Sequence, residues 1–240
     1  MLNKNTFKIS IIIPCYNEFK TINKITARVI NSLKTYNYEN YEIIIVDDQS
    51  TDGTIDELNK IKDEKNIKVY FHDVNRGKGA AVHTAIKHSS GDLILIQDAD
   101  LEYDPFDYNN LFLPFFETDA DVVYGSRFIG GGKYVRIHFF WHYLANKILT
   151  FLCNIFTNLN LTDVETGYKV FKSEALKSIN LVEESFAFEP EVTIKLAKKK
   201  LRFYEVPITY NGRSYEEGKK IVIKDAFIAL KTIILYSIKS

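Results

Sequence analysis

The residues best suited to chemistry are carboxylates that follow short apolar runs. Asp98 and Asp100, with Ala99 between them and Glu102 just behind, come after the largely apolar run 92–96. Carboxylate oxygens at neighbouring positions suit Mg²⁺ or Mn²⁺ held together with the phosphates of a substrate. The same pattern also occurs in solvated acidic turns, so a metal site and a surface turn are both open at this point.

Two further polar segments follow apolar runs nearer the N-terminus. Residues 14–18 read PCYNE, and residues 47–54 read DDQSTDGT. The carboxylates of Glu18 and Asp48 could accept a hydrogen bond from a nucleobase N–H or from ribose hydroxyls. Taken singly, each is equally typical of a turn or a helix cap. Both are therefore candidates for nucleotide recognition with a structural alternative.

The elements that must position these residues alternate through the first half of the chain. Short β-branched runs are separated by amphipathic stretches, which indicates βαβ units and a mainly parallel sheet. Because the carboxyl ends of parallel strands open at the same edge, the acidic segments should converge there. We predict strands over 8–13, 41–46, 67–71, 92–96 and 121–124, and helices over 18–33, 54–63, 79–88 and from Pro105 onward.

A different pattern begins after the three glycines at 130–132. Apolar residues, many of them aromatic, step by three and four from Ile137 to Ile155, which predicts a long helix with one broad apolar stripe. The stripe favours a core helix; the alternative is an interfacial helix whose aromatic residues suit the headgroup boundary of a bilayer. Residues 221–238 pose the same choice. No run reaches the ~20 consecutive apolar residues that a transmembrane span needs.

Composition narrows the classes of protein. The chain has 240 residues, 46% of them hydrophobic, which excludes a mainly disordered chain. Because 31 basic and 31 acidic residues give zero net charge, no nucleic-acid partner is expected. Cys15 and Cys153 lie far apart without a CxxC, so the sequence favours neither a disulfide nor a zinc site but a reduced, cytoplasmic setting. Residues 1–10 lack the pattern of a secretory signal.

Two common nucleotide-binding patterns do not occur in the sequence. The dinucleotide fingerprint G-x-G-x-x-G would stand in the first βα turn, where this chain has PCYNE. The glycines of residues 75–79 do not match a P-loop, since no Gly-Lys-Ser/Thr follows four spacer residues. They are better explained as the start of a helix near bound phosphate.

Ordered motifs along nearly the whole chain resemble one enzyme family. The motifs are IIIPCYNE (11–18), IIIVDDQSTDGT (43–54), NRGKGAA (75–81), DADLEYDP (98–105), VYGSRF (123–128), DVETGYKVF (163–171), FEPEV (188–192) and EVPITYNGRSYEEGKK (205–220). In order and spacing they resemble glycosyltransferase family 2, in particular its polyprenyl-phosphate (dolichyl-phosphate) mannose or glucose synthase branch.

This resemblance implies a fold and an activity. The fold would be one α/β domain of GT-A type over residues 1–240, with a mainly parallel nucleotide-binding sheet flanked by helices. Residues 1–128 would bind the nucleotide sugar, and residues 129–240 would face the acceptor and the membrane through C-terminal interfacial helices. The activity would be inverting transfer of one hexose from GDP-mannose or UDP-glucose to a polyprenyl phosphate, with Mg²⁺ or Mn²⁺. The enzyme would lie peripherally on the cytosolic face of a membrane.

The resemblance also implies residues for the donor. The positions that match the nucleoside pocket of the family are Pro14, Tyr16, Glu18, Val46 and Asp48. Asp98 and Asp100 match the metal-binding pair of the family, with Ala99 between them on the donor side. Glu102 stands where relatives often carry a Gln that also reaches the metal, so its charge is a departure from the family pattern.

Basic residues complete the expected site. Arg127 matches an arginine that handles the acceptor phosphate or the donor diphosphate, and Asp98, Asp100 and Arg127 are thus the expected catalytic residues. Arg213 and Lys219 match basic residues on a loop that closes over the diphosphate, and Arg136 is a further candidate for phosphate binding. Since an ionised phosphate can attack the sugar without a strong base, we predict no general base.

Some roles and functions stay open at the level of sequence. Asp163 could position the phosphate-binding arginine or cap the next segment. For Glu189 and Glu191, on either side of Pro190, N-terminal capping of a helix is favoured. The alternative functions are a glycosyltransferase of the same fold that acts on a lipid hydroxyl, a glycan or a protein, and a non-catalytic protein that binds nucleotide sugars.

Overall fold

Isoleucine-rich runs build the centre of the sheet. The computed structural model describes residues 7–130, 139–213, 216 and 223–238, and across these residues seven strands form one sheet. The strands are β1 (Ile9–Cys15), β2 (Tyr41–Asp47), β3 (Ile67–Phe71), β4 (Leu93–Ile96), β5 (Val122–Ser126), β6 (Lys169–Lys172) and β7 (Phe203–Pro207). The helices are α1 (Ile22–Thr35), α2 (Thr54–Ile61), α3 (Lys78–His88), α4 (Tyr108–Glu117), α5 (Phe140–Thr157), α6 (Ser173–Lys177), α7 (Phe188–Lys198) and α8 (Ile223–Ile238), with a 3₁₀ turn at Pro105–Asp107.

The sheet is mainly parallel, as predicted. Its order is β3-β2-β1-β4-β6-β5-β7. Strand β6 runs antiparallel between β4 and β5, whereas the other neighbouring strands run parallel. The five predicted strands agree with β1 to β5 within two residues at each end, while β6 and β7 have no counterpart among them. Both halves of the chain contribute strands to this sheet.

The central strands are apolar along their whole length because helices cover both faces of the sheet. Ile11 and Ile13 of β1 pack in one cluster with residues of α1 and α4, and Ile12 packs in a second cluster with residues of α3 and α7. All three isoleucines are fully buried. A run without polar alternation is what a strand with two covered faces requires.

Helix α1 begins later than the sequence predicts, and the difference shapes the site. The helix starts at Ile22 rather than at residue 18. The preceding residues form a turn in which Thr21 Oγ1 donates to the Glu18 carboxylate at 2.5 Å, and the Glu18 N–H donates to Thr54 Oγ1 at 2.9 Å. This turn ties the loop after β1 to the first residue of α2, and it keeps Glu18 at the carboxyl edge of the sheet.

The apolar stripe of α5 faces mostly outward. Phe140, Trp141 and Phe151 are 64%, 74% and 64% exposed, and Ile148 and Ile155 are also exposed. The buried side of the helix consists of Asn146, Leu149, Thr150 and Cys153. The core-helix interpretation of the stripe is therefore wrong, because α5 packs on α7 and α8 through a different face.

Helix α8 shares this arrangement. Ala229 and Ile233 are buried against α5 and α7, whereas Phe227 and Ile238 are exposed. None of the helices in the described part of the chain is both long enough and apolar enough to cross a bilayer. Helices α5 and α8 thus each bury one face against the domain and expose apolar residues on the other.

Candidate active site

The loops after β1, β2 and β4 converge on one cavity, as the parallel sheet predicts. The cavity has a volume of about 810 Å³ and is bounded on another side by the start of α5. The predicted site residues that line it are Pro14, Tyr16, Glu18, Asp48, Asp98, Ala99, Asp100, Glu102, Arg127 and Arg213. Arg136 and Lys219 lie outside the described residues. The three acidic segments thus share one site with two of the four predicted cations.

Val46 is the predicted site residue whose side chain does not face the cavity. It is fully buried in the hydrophobic cluster beneath α3. Its neighbour Asp48 lines the cavity, but its carboxylate already accepts from the chain itself. The Arg76 N–H lies at 3.0 Å, the Gly77 N–H at 2.6 Å and His72 Nδ1 at 2.7 Å. Asp48 therefore fixes the loop that leads into α3.

Two cations of the chain lie on the acidic pair. Lys78 Nζ, at the start of α3, is 2.8 Å from Asp98 Oδ1. Arg213 Nη2 is 3.0 Å from Asp100 Oδ2, and the same guanidinium group reaches Glu18 at 3.3 Å and Glu102 at 3.4 Å. Arg213 thus bridges carboxylates from the loops after β1 and β4.

The acidic cluster is electrostatically crowded. Burial, followed by the charges of Glu102 and Asp98, raises the pKa of Asp100 to about 7, although Arg213 opposes this shift. Hard oxygen donors of this kind suit Mg²⁺ or Mn²⁺. Among the described residues, however, no three carboxylate, imidazole or thiol groups converge closely enough to hold a metal ion. Asp98, Asp100 and Glu102 supply oxygen atoms of the kind that a divalent cation prefers, and in this structure Lys78 and Arg213 bind them instead.

Asp163 holds the guanidinium group of Arg127 in place. Arg127 Nε and Nη2 each donate to the carboxylate of Asp163 at 2.7 Å, and Asn146 Nδ2 donates to it at 2.8 Å. Burial would raise the pKa of Asp163, but Arg127 outweighs it and holds this pKa below its ordinary value. The Tyr210 ring lies 5.1 Å from the guanidinium carbon. Of the two roles open in the sequence, the structure has Asp163 positioning the arginine.

Glu189 is a site residue that the sequence interpretation misses. It lies in the first turn of α7, as predicted, but its buried carboxylate binds Lys78 at 3.0 Å and also binds Lys169. Capping is therefore not its role. Glu191, two residues on, accepts from the N–H groups of Val182 and Glu183, each at 2.8 Å. A lysine between two glycines at a helix start, in NRGKGAA, is the sequence signal that could have identified Lys78.

The loop 163–167 connects Arg127 with the acidic pair, since one of its ends contacts Arg127 and the other contacts Asp98. The Gly167 N–H donates to the Tyr103 hydroxyl at 2.8 Å. A Cβ atom at Gly167 would lie 2.3 Å from Asp98 Oδ2, so any larger residue there would displace the Asp98 carboxylate. Asp163 and Gly167 thus connect Arg127 and Asp98 through five consecutive residues.

The family assignment agrees with this geometry. The family model described as "Glycosyl transferase family 2" matches residues 10–179. The chain belongs to glycosyltransferase family 2. This confirms the resemblance drawn from the motifs, since the matched segment includes the loops that bear the acidic pair and Arg127.

Curated relatives in family 2 are similar over most of the chain. The chain is 30% identical over 214 residues to a dolichol-phosphate mannosyltransferase of Pyrococcus furiosus, which covers 88% of this chain and 59% of that protein. It is 27% identical over 223 residues to an undecaprenyl-phosphate mannosyltransferase of Micrococcus luteus, which covers 88% of this chain and 87% of that one. The chain thus spans less than two thirds of the length of the Pyrococcus protein.

Solved structures confirm the GT-A fold. A glucosyl-3-phosphoglycerate synthase of Mycobacterium tuberculosis, crystallised with UDP, superposes with a TM-score of 0.73 at 17% identity and covers 98% of this chain and 81% of that one. The same enzyme with Mn²⁺, UDP and phosphoglyceric acid gives a TM-score of 0.70. At this identity the likeness concerns the fold.

Proposed function

We propose that the chain is a metal-dependent, inverting glycosyltransferase that moves one hexose from a nucleotide-diphosphate sugar to a polyprenyl phosphate. The observation that carries this proposal is a single cavity lined by Asp98 and Asp100, by Arg127, and by Trp141 of the outward-facing helix α5. Such a cavity offers places for a diphosphate, a second phosphate and an apolar chain. The names of the Pyrococcus and Micrococcus relatives support a polyprenyl-phosphate acceptor.

The residues divide the chemistry between donor and acceptor. Pro14, Tyr16, Glu18 and Asp48, which line the cavity, would bind the nucleoside. A divalent cation, Mg²⁺ or Mn²⁺, held by Asp98, Asp100 and Glu102 would neutralise charge on the leaving diphosphate. Arg213, together with Lys219 and Arg136, would bind the diphosphate after leaving its apo partners. These roles follow from charge and placement in one cavity.

Arg127 would bind the acceptor phosphate. One oxygen of that phosphate attacks the anomeric carbon from the face opposite the diphosphate. The bond between this carbon and the diphosphate oxygen breaks, and its electron pair leaves with the nucleoside diphosphate. Because the attacking oxygen is already ionised, Arg127 needs only to hold it in line and no group has to remove a proton. Asp163 keeps the guanidinium oriented for this task.

We also propose that the chain works as one catalytic domain docked on the cytosolic surface of a membrane. Phe140, Trp141 and Phe151 of α5 and Phe227 and Ile238 of α8 are exposed aromatic or aliphatic residues. Aromatic and aliphatic side chains of this kind bind at the boundary between headgroups and acyl chains. Since Trp141 also lines the cavity, the acceptor phosphate would enter beside the docked helix.

Transfer of labelled sugar tests the proposal. The purified protein is given GDP-mannose or UDP-glucose, Mn²⁺ or Mg²⁺, and polyprenyl phosphate in detergent or liposomes, and the organic phase is counted. Label in the organic phase with one donor, lost on chelation and in Asp100→Asn, is the expected result. Donor turnover without extractable label would show that polyprenyl phosphate is not the acceptor and would favour a glycan, a protein or a lipid hydroxyl instead. Neither binding nor turnover of either donor would favour a protein without this activity.

A further inference from the structure

Glu165 is a carboxylate in the cavity wall, and one of its oxygens has no hydrogen-bond partner among the residues that the structure describes. It lines the same cavity as the acidic pair, and its side chain is half-buried. Within the described part of the chain, its Oε1 atom is buried and has no hydrogen-bond partner. A buried polar oxygen that stays unpaired costs about 1–3 kcal/mol, so native sites seldom keep one without a reason.

The neighbouring acidic residues differ from Glu165 in this respect. Asp163 is saturated by Arg127 and Asn146, and Glu189 is held by two lysines. Burial, followed by the charge of Glu189, raises the pKa of Glu165 to about 7, against the effect of Lys169 and Arg127. Among the described residues, the carboxylates of Asp163 and Glu189 are thus paired, whereas Oε1 of Glu165 is not.

The backbone around Glu165 is fixed at both ends. Two residues before it, Asp163 binds Arg127, and two residues after it, the Gly167 N–H donates to Tyr103. Lys169 Nζ donates to the carbonyl of Val164 at 3.0 Å and also to that of Thr166. Glu165 thus stands on a short, tied loop rather than on a free one, which preorganises its carboxylate.

The ends of this loop mark the two reacting phosphates of the proposed function. Gly167 abuts Asp98, where the donor diphosphate would lie, and Asp163 abuts Arg127, where the acceptor phosphate would lie. The four peptide units between residues 163 and 167 span at most about 14 Å. In an in-line transfer the sugar lies between the two phosphates, so it lies beside the middle of this loop.

Of the parts of the two substrates, the sugar is the one that the carboxylate of Glu165 is best suited to bind. In its ionised form Glu165 repels the phosphate groups of both donor and acceptor. Hexose hydroxyls, in contrast, are uncharged groups that donate strong hydrogen bonds to a carboxylate oxygen. Rotation about the last torsion of the side chain exchanges its two oxygens within a broad energy well, so either can face the cavity.

We propose that Glu165 binds the transferred sugar of the donor by accepting hydrogen bonds from its ring hydroxyls. This inference rests on the proposed function, since it needs a nucleotide-sugar donor in the cavity. Glu165 is then a specificity-determining residue for the hexose, and it makes no contact with the nucleoside or the diphosphate.

The test compares a nucleotide with and without its sugar. Affinities of the Mn²⁺-loaded protein for GDP, GDP-mannose, UDP and UDP-glucose are measured by titration calorimetry for the wild type, Glu165→Gln and Glu165→Ala. We expect Glu165→Ala to weaken binding of the accepted nucleotide sugar about tenfold, equivalent to about 1.4 kcal/mol, while affinity for the matching nucleoside diphosphate stays within about twofold. Glu165→Gln keeps the shape and one acceptor oxygen, so its loss should be smaller.

Controls separate this outcome from a folding defect and from a failure of the proposed function. Glu174→Ala, at an exposed carboxylate of α6, should change neither affinity. Equal losses for the nucleotide and the nucleotide sugar, or no loss in either, would overturn the role of Glu165. If the wild type binds a nucleotide sugar but transfers nothing to polyprenyl phosphate, the acceptor is wrong while the sugar contact stands. If the wild type binds neither nucleotide sugar, both proposals fail.

Discussion

At the scale of single residues, the chain's own cations neutralise the acidic cluster. Lys78 lies on Asp98, and Arg213 lies on Asp100, Glu18 and Glu102. Carboxylates held this close repel one another, and the two cations offset that repulsion before any substrate binds. The divalent cation of the proposed function would therefore compete with Arg213 for the carboxylate of Asp100.

This competition gives a first prediction. Arg213→Gln should tighten Mn²⁺ binding in the absence of donor about fivefold. Removing the guanidinium leaves the cluster more negative, which should favour the binding free energy of the cation by about 1 kcal/mol. The same variant should lose transfer activity, since Arg213 is proposed to bind the diphosphate.

Mn²⁺ titration followed by electron paramagnetic resonance measures the effect on metal binding. Arg202→Gln, whose partners Asp119 and Asp121 do not line the cavity, is the matched control. Unchanged or weaker Mn²⁺ binding in Arg213→Gln would contradict the competition.

The pair of Arg127 and Asp163 gives a second prediction. Each single change to alanine leaves one buried charge without its partner and should lower the free energy of unfolding by about 3–5 kcal/mol. The double variant Arg127→Ala with Asp163→Ala should lose less than the sum of the two, by roughly 0.5–3 kcal/mol. Urea unfolding of the four proteins measures this coupling. Strictly additive losses would show that the two side chains act independently.

Sequence predicted the individual site residues better than their partners. Motif order predicted Asp98, Asp100 and Arg127 as site residues, and all three line the cavity; it also raised Asp163 as one possible partner of the arginine. The ion pairs of Lys78 with Asp98 and Glu189 were not predictable, because they join three segments that are far apart in the chain. Asp48 likewise matched a nucleoside-binding position, although its carboxylate accepts from the N–H groups of Arg76 and Gly77. A residue type shows what a side chain can bind, but the fold decides which partner is near.

Among the helices, α5 shows that an apolar periodicity does not by itself mean a buried face. The apolar spacing predicted one face of the helix correctly, since Phe140, Ile148, Phe151 and Ile155 share the exposed side. It did not reveal that α7 and α8 pack against the opposite side, through residues such as Leu149 and Cys153. Hydrophobic periodicity identifies which residues share a face, whereas the medium that covers the face depends on the rest of the fold.

The exposed aromatic residues at the start of α5 give a third prediction. The double variant Phe140→Ser with Trp141→Ser should reduce co-sedimentation with anionic liposomes at least about tenfold, because each large apolar side chain contributes about 1.5–3 kcal/mol when fully buried. Phe71→Ser is the matched control, since Phe71 is an exposed aromatic residue at the end of β3 and does not line the cavity. Equal liposome binding by the wild type and the double variant would remove the docking proposal.

At the scale of the whole molecule, one sheet joins the two halves of the chain. Strand β6 enters between β4 and β5, and β7 pairs with β5 at the sheet edge. The βαβ alternation predicted the first five strands because each is a short apolar run between helices. Strand β6 is only four residues long, with Lys169 and Lys172 at its ends, and β7 is half-buried throughout. Neither pattern stands out locally, since long-range pairing rather than local sequence makes these segments strands.

A buried carboxylate that joins several elements gives a fourth prediction. Glu42 of β2 accepts from Ser10 of β1 at 2.8 Å, from Lys68 of β3 at 2.8 Å and from the Ser90 N–H before β4 at 2.7 Å. Burial would raise the pKa of Glu42, but these hydrogen bonds outweigh it and lower the pKa from 4.5 to about 2. The charged form is therefore favoured in the folded state, and its contribution is fully present above about pH 4.5 and lost as the pH falls toward 2.

Glu42→Gln should accordingly lower the free energy of unfolding at pH 7 by at most about 3 kcal/mol, and the difference from the wild type should shrink between pH 4.5 and 2. Urea unfolding at pH 7, 4 and 3 measures it. Glu39→Gln, at an exposed carboxylate just before β2, is the control and should follow the wild type at every pH. A loss in Glu42→Gln that does not vary with pH would contradict the assignment.

The antiparallel strand inside the sheet also sets the order of events on the ribosome. Strand β4 ends at Ile96, but its partner β6 ends only at Lys172. Roughly 75 residues are translated in between, which takes about 4–15 s at ~5–20 residues per second. Throughout that interval the edge of β4 that β6 covers in the finished protein has no partner strand, whereas the opposite edge can pair with β1. An unpaired apolar edge is prone to join another chain, so the nascent protein is most vulnerable to aggregation while its second half is being made.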